Sequence, residues 1–197
     1  LTRPLFHYDL NCPWSWIAAE RISRTFADQG AELPEWRPIA GWRLAEEGEP
    51  TRSPSAQDEV RVAVVKRATA LGLAEPRFPE GWPEETQSEV ALLGVLYAAE
   101  AGRVIAVSLA AFRQQFAAGR SLADIDNVLI AAASCELHPK AVSKGIQSPA
   151  IAKSLENNTE QARELGVRLT PTVTVGEEVF EGEESIEKAV LANLGTG

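Results

Sequence analysis

The sequence predicts an α/β fold in which a single sheet, built from both ends of the chain, is interrupted by an all-helical insertion domain. Strand-like segments occur only near the two ends, the stretch EEGEPTRSP (residues 46–54) breaks the pattern, and the region beyond it to residue 165 carries helical periodicity throughout. Strands at both ends with helices between them imply one sheet closed by distant segments. The expected domains are 1–48 together with 160–197, and a helical insert over 49–159.

Taken in order, Leu5, Phe6, Tyr8 and Leu10 alternate partly with His7 and Asp9, as in a short strand. After a turn at Asn11, Ile17, Arg21, Ile22 and Phe26 recur at helical spacing, and Gly30 supplies the stop before an extended Glu35-Trp36-Arg37-Pro38-Ile39. The linker combines charge, Gly and two prolines, which regular elements tolerate poorly. Helices are expected over Gln57–Leu71, Thr86–Glu100, Val107–Phe116, Leu122–Glu136 and Pro149–Leu165, separated by PRFPEGWP, Gly119 and HPKAVSKG. Ser121 with Asp124 reads as a capping box, and Ser148-Pro149 as a helix start with Pro at the first helical position. Strands return at GVRLTPTVTV (166–175), turn at Gly176-Glu177 and run on through Glu178–Glu181, before a final helix over Ser185–Leu194.

Composition narrows the function. With 197 residues, 45% hydrophobic and 24% charged, the chain is an ordinary folded protein. A formal net charge of −9 repels phosphate backbones and anionic membrane surfaces, which argues against nucleic-acid and membrane partners. No apolar run approaches the ~20 residues of a membrane span, and no basic region followed by an apolar signal segment opens the chain. Two cysteines cannot form a disulfide framework, which fits a reducing compartment, so a cytoplasmic location is expected.

One stretch carries chemistry. In Asn11-Cys12-Pro13-Trp14-Ser15-Trp16, a cysteine stands between a strand and a helix, where free N–H groups and the positive dipole end stabilise a thiolate. Pro13 sits where a missing N–H does no harm, and Trp14 offers an aromatic wall. In a C-x-x-C motif the second thiol resolves the mixed disulfide formed by the first; that position is Ser15, whose hydroxyl can hydrogen-bond the thiolate but cannot attack a disulfide. The site therefore needs an external thiol.

Cys-Pro-Trp-Ser at a strand-to-helix turn, together with GVRLTPTVTV before the last hairpin, resembles the thioredoxin-like fold in its DsbA-like branch, which carries a helical insertion of this size. The resemblance spans the chain. That branch includes FrnE-like disulfide oxidoreductases, 2-hydroxychromene-2-carboxylate isomerases and kappa-class glutathione transferases. It implies that Cys12 is the nucleophile, that Pro171 is a cis proline facing it, and that the main chain of Thr170 offers an edge to an extended peptide or glutathione-like ligand. The implied function is a monothiol thiol-disulfide oxidoreductase exchanging with glutathione, another low-molecular-weight thiol or a protein thiol, with no tightly bound cofactor; a homodimer is compatible. Two alternatives stand beside it. The isomerase and transferase members resemble this motif in the form S-P-Y-S, where the hydroxyl activates glutathione, and a binding module could keep the fold without the reaction. The GxDR-like segment of those members corresponds to Gly182-Glu183-Glu184-Ser185; Glu184 and Ser185 are the implied contacts to glutathione's charged end, with Glu184 in the acidic role and no Arg present.

The remaining candidates have plainer readings. Cys135 reads as a small buried hydrophobe, with a resolving thiol as the alternative. His7 and His138 lie at no metal-ligand spacing to the cysteines, so no metal is expected. Asp9 either influences Cys12 or faces solvent. Trp16, Trp36, Trp42 and Trp82 are packing residues, of which Trp42 and Trp82 flank the junction of insert and sheet, where clefts form. The acidic residues from Glu177 to Glu184 read as a solvated hairpin edge.

Overall fold

The structure, a computed structural model, describes residues 3–44, 54–87 and 89–195. Residues 46–53 of the expected linker, and with them the residue-48 boundary, lie outside the described residues. Strands β1 (Leu5–Tyr8), β2 (Glu35–Pro38), β3 (Thr172–Val175) and β4 (Glu178–Glu181) form one sheet of order β2-β1-β3-β4. Phe6 is the hinge of its register: it lies opposite Trp36 in the parallel pair and opposite Val173 in the antiparallel pair. The two ends of the chain thus close one sheet, in a thioredoxin-like arrangement with helices between β2 and β3.

Helix α1 (Pro13–Asp28) follows β1, and helices α2 (Pro54–Ala70), α3 (Glu89–Glu100), α4 (Val104–Phe112), α5 (Ile125–Ala133), α6 (Pro139–Gly145) and α7 (Pro149–Glu164) precede β3; α8 (Ile186–Gly195) ends the described chain. Alternation along the strands sorts residues to two faces. Phe6, Tyr8 and Trp36 point to one face and form an aromatic cluster that reaches Phe112 of α4, with ring centroids 5.1 Å apart for Phe6 and Trp36 and 5.8 Å for Tyr8 and Phe112. The Tyr8 hydroxyl lies 2.6 Å from Ser108 Oγ, which itself donates to the Val104 carbonyl, so the phenol is the donor to Ser108. Burying each such ring contributes ~1.5–3 kcal/mol, and this one cluster locks the insert to the sheet.

The other face carries His7, Arg37 and Ile39 and is covered by α7. Asn158 accepts from Arg37 and donates to the Pro38 carbonyl, Thr159 Oγ1 accepts from the Ala40 N–H, and Ala162 packs with Ile39 and Val167. Helix α7 runs without a break through residue 160, the expected limit of the insert.

Three local expectations are corrected. HPKAVSKG is not a separator: it forms α6, which His138 caps by accepting from Lys140 N–H, with Pro139 at the first helical position. The apolar residues of so short a helix are too few to show a period. Helix α5 is capped by Asp124, whose carboxylate accepts from Asp126 N–H, while Ser121 holds the turn before it. The run expected as Val107–Phe116 changes from α-helix to a π-helical turn, Arg113–Ala117.

Candidate active site

β1 ends at Tyr8 because the chain turns at Asp9, whose carbonyl accepts from the Cys12 N–H at 3.1 Å. Cys12 is the extended residue before α1, and its carbonyl receives the first helical bond, from Trp16 at 3.2 Å. Pro13 starts the helix with φ already fixed and no N–H to satisfy. The thiol is thereby held half-buried at the helix N-terminus. Across from it, the Thr170–Pro171 bond is cis, and the Thr170 carbonyl oxygen lies 3.1 Å from Cys12 Sγ. Among the described residues the Thr170 N–H has no partner.

Ser15 is fully buried beneath the thiol, with its Oγ 3.5 Å from the Asp9 N–H. The electrostatic balance differs from the sequence expectation. Burial is the largest influence and pushes the Cys12 thiol up; the Ser15 hydroxyl and N–H and the Thr170 side-chain hydroxyl push it down; the Asp9 charge pushes it up again. A carbonyl oxygen can only accept, so the contact with the Thr170 main-chain oxygen suits an S–H and not a thiolate. The helix terminus is present, and burial and the Thr170 carbonyl oppose its pull toward the thiolate.

Asp9 does not face solvent. Its two carboxylate oxygens accept from Asn11 N–H at 2.8 Å and Gly41 N–H at 2.7 Å, while burial raises its pKa to about 6 against those two bonds. Gly41 has no room for a side chain: an added Cβ would stand 2.8 Å from Asp9 Oδ2.

Asn11, to which the sequence attaches no role, ties this turn to the insert. Its carbonyl accepts from Trp82 Nε1 at 3.0 Å, its Oδ1 accepts from Thr86 Oγ1 at 2.7 Å and Gln115 Nε2 at 2.8 Å, and its Nδ2 donates to the Pro83 carbonyl at 2.7 Å. Gln115 sits in the π-helical turn and is fully buried. The Trp82–Pro83 bond is also cis, and the loop containing it faces Cys12 across a cavity of about 650 Å³. Cys12, Pro13, Trp14 and Thr170 line that cavity, joined by Trp42 and Trp82, the two tryptophans singled out by position, and by Asp9, Asn11, Gly41, Gln57, Gln87 and Arg168. Arg61 of α2 lies against the Trp82 ring, 5.1 Å from its centroid, and donates to the Trp82 carbonyl.

Glu184 and Ser185, implied as contacts to a ligand's charged end, are not among the residues that line the cavity. Glu184 is exposed in the 3₁₀ turn Glu183–Ser185, and the neighbouring Glu183 turns inward instead. Its buried carboxylate takes Arg21 at 2.6 Å and Arg67 at 2.8 Å, tying α1 and α2 to this turn. A charge so deeply buried requires partners, and these two arginines supply them; the acidic run is therefore not wholly a solvated edge. Pro171 is buried, and its carbonyl accepts from Gly182 N–H at 2.9 Å, which fixes the turn behind the cis bond. Cys135 is half-buried against the insert's core and is not among the cavity residues. Among the described residues no group of three or more His, Cys, Asp or Glu side chains is disposed to hold a metal ion, and no helix is long and apolar enough to cross a membrane.

A family model for the DSBA-like thioredoxin domain matches residues 5–192. Among solved structures the chain is similar to a 2-hydroxychromene-2-carboxylate isomerase, with a TM-score of 0.79 at 20% identity, covering 99% of this chain and 95% of that one. It is similar to a probable DsbA oxidoreductase from Streptomyces coelicolor, with a TM-score of 0.77 at 19% identity over 99% and 91% of the two chains. The cytosolic disulfide reductase DsbM from Pseudomonas aeruginosa, solved with GSH, gives 0.66 at 14% identity over 99% and 97%. At these identities the likeness is one of fold. A search of curated proteins finds no match in sequence.

Proposed function

The chain belongs to the DSBA-like thioredoxin domain family, and from that premise we propose that it is a monothiol thiol-disulfide oxidoreductase, with Cys12 as nucleophile and a low-molecular-weight or protein thiol as the second reactant. The observation that carries this reading is the pairing of one cavity-facing thiol at a helix N-terminus with a serine, not a cysteine, in the resolving position. The family's oxidoreductases and the cytosolic, GSH-bound DsbM support a small-thiol substrate and a cytoplasmic setting.

The chemistry balances without a cofactor. Cys12 gives its proton to solvent, and the thiolate attacks one sulfur of a substrate disulfide. The substrate's S–S bond breaks, its other half leaves as a thiolate that takes up a proton, and Cys12 carries the mixed disulfide. A second small thiolate attacks the substrate sulfur of that adduct and releases Cys12. The protein returns unchanged, and the net reaction exchanges one thiol for another. An extended ligand would pair with the main chain of Thr170, and an N–H donated to its carbonyl would compete with the Cys12 S–H for that acceptor. Substrate binding then frees the proton that must leave.

A glutathione-dependent isomerase or transferase is the second reading, and one observation favours it: Cys12 Sγ stands 3.1 Å from an acceptor, the Thr170 carbonyl, so its S–H can serve as a hydrogen-bond donor in the position of the S-P-Y-S hydroxyl. Mass spectrometry after incubation with oxidised glutathione separates the readings. A glutathione adduct on Cys12 that excess thiol reverses supports exchange. Non-covalent binding of reduced glutathione without an adduct supports the isomerase reading, and neither result leaves a binding module. A Cys12–Cys135 bridge in the oxidised protein would overturn the monothiol assignment.

A further inference from the structure

The cavity's charge is uneven in a way the reaction does not explain. Its acidic groups are engaged: Asp9 holds two N–H groups, and Glu84 accepts from Gln57 Nε2 at 2.7 Å. Among the described residues, Arg168 is the one cation that lines the cavity. It is exposed, and among the described residues its guanidinium has no ion-pair or hydrogen-bond partner, whereas Arg43, Arg61 and Arg67 nearby are all paired. The backbone beneath it is fixed. Its N–H donates to Glu181 Oε1 at 3.2 Å, Val167 before it is buried in the Ile39 cluster, and Pro171 after it is buried behind the site. In a chain of net charge −9, a cation with no ion-pair partner among the described residues, on a held backbone in the cavity that contains the thiol, is a feature to account for.

We infer that Arg168 selects among small thiols and disulfides by pairing with a carboxylate on the ligand's non-reacting end. This deepens the exchange reading and rests on it for the position of the ligand's sulfur at Cys12. Arg168 lies two residues from Thr170, a span of at most ~7 Å of extended chain. A cysteine-based thiol carries a carboxylate or the next peptide unit within that distance of its sulfur, so one ligand can reach Cys12, the Thr170 main chain and Arg168 together. A guanidinium meets a carboxylate with two parallel N–H donors, which fixes orientation as well as charge. Thiols lacking an anionic group gain nothing from Arg168, and cationic ones are repelled.

The test compares the rate of Cys12 adduct formation with oxidised glutathione, which is anionic, and cystamine, which is cationic. Each rate is divided by that with the neutral bis(2-hydroxyethyl) disulfide, so that comparing proteins cancels the reagents' intrinsic reactivity. Arg168→Gln should lower the glutathione ratio about fivefold to tenfold, and Arg168→Glu should lower it further and raise the cystamine ratio. The effect in the parent should shrink with added salt. Ratios that are the same in parent and both variants, all folded by circular dichroism, overturn the proposal. If none of the reagents modifies Cys12, the exchange reading fails separately, and calorimetry with reduced glutathione decides for Arg168: weaker binding by Arg168→Gln supports the inference, and equal or absent binding in the parent overturns it.

Discussion

Cys12 Sγ and the main-chain oxygen of Thr170, 158 residues apart in sequence, lie 3.1 Å from each other. The contact brings the first turn of α1 against the cis-proline loop before β3, and its chemistry is directional. The main-chain oxygen accepts and cannot donate, so it favours the thiol, while the Ser15 hydroxyl and N–H and the Thr170 side chain favour the thiolate. Cys12 stands between these influences, with burial on the side of the thiol.

Asp9 adds to that side through its charge, so Asp9→Asn should lower the pKa of Cys12. The measurement is the rate of iodoacetamide alkylation of Cys12 across pH, in a Cys135→Ser background. An inflection unmoved or moved upward would show that the Asp9 charge does not act on the thiol.

Ser15→Cys should convert the site to a dithiol. Ser15 is buried one helical turn from Cys12, so a thiol there can close an internal disulfide. The variant should turn over in an insulin-reduction assay in which the parent is slow or inactive. A variant no faster than the parent would mean that Ser15 is not what limits the site to monothiol chemistry.

Asn11→Ala should destabilise the fold by ~2–4 kcal/mol, because Gln115 Nε2 loses its partner and Thr86 Oγ1 and the Pro83 carbonyl keep only their long bond to each other, 3.4 Å, at a part-buried site. Urea denaturation checks this. A loss under ~1 kcal/mol would show that water replaces these bonds at little cost.

Two buried groups should give opposite acid responses. His7 is held neutral down to about 4 by burial and by Arg37, so the folded state binds fewer protons than the unfolded chain between the ordinary 6.5 and 4. Its contribution, ~3 kcal/mol, is complete above 6.5 and lost as pH falls toward 4. Asp9, raised from 3.8 to about 6, binds more protons when folded, so stability gains as pH falls through that window. His7→Gln can keep a bond to Thr174 Oγ1 without titrating. The stability advantage of the parent over this variant should therefore shrink between pH 7 and pH 4, and denaturation curves giving a constant difference would refute the assignment to His7.

Much of the fold was legible in the sequence because it rests on local regularities. Alternation in LFHY and TVTV, the helical period of Ile17, Ile22 and Phe26, and Pro13 and Pro149 at helix starts are set by backbone geometry within a few residues. The order of elements, and Cys12 at a strand-to-helix turn with Pro171 before a strand, follow from the chain itself. Tertiary structure decided what depends on distant segments. Asn11 was unreadable as a hub because its partners come from residues 82, 83, 86 and 115. Arg168 lines the cavity and the Glu184 segment does not, and Glu183 is drawn inward by Arg21 and Arg67 from two other helices, pairings that no stretch of sequence displays. The balance at Cys12 has the same origin: a helix terminus is a local property that sequence reveals, whereas burial and the Thr170 carbonyl exist only once the chain's two ends have met in one sheet.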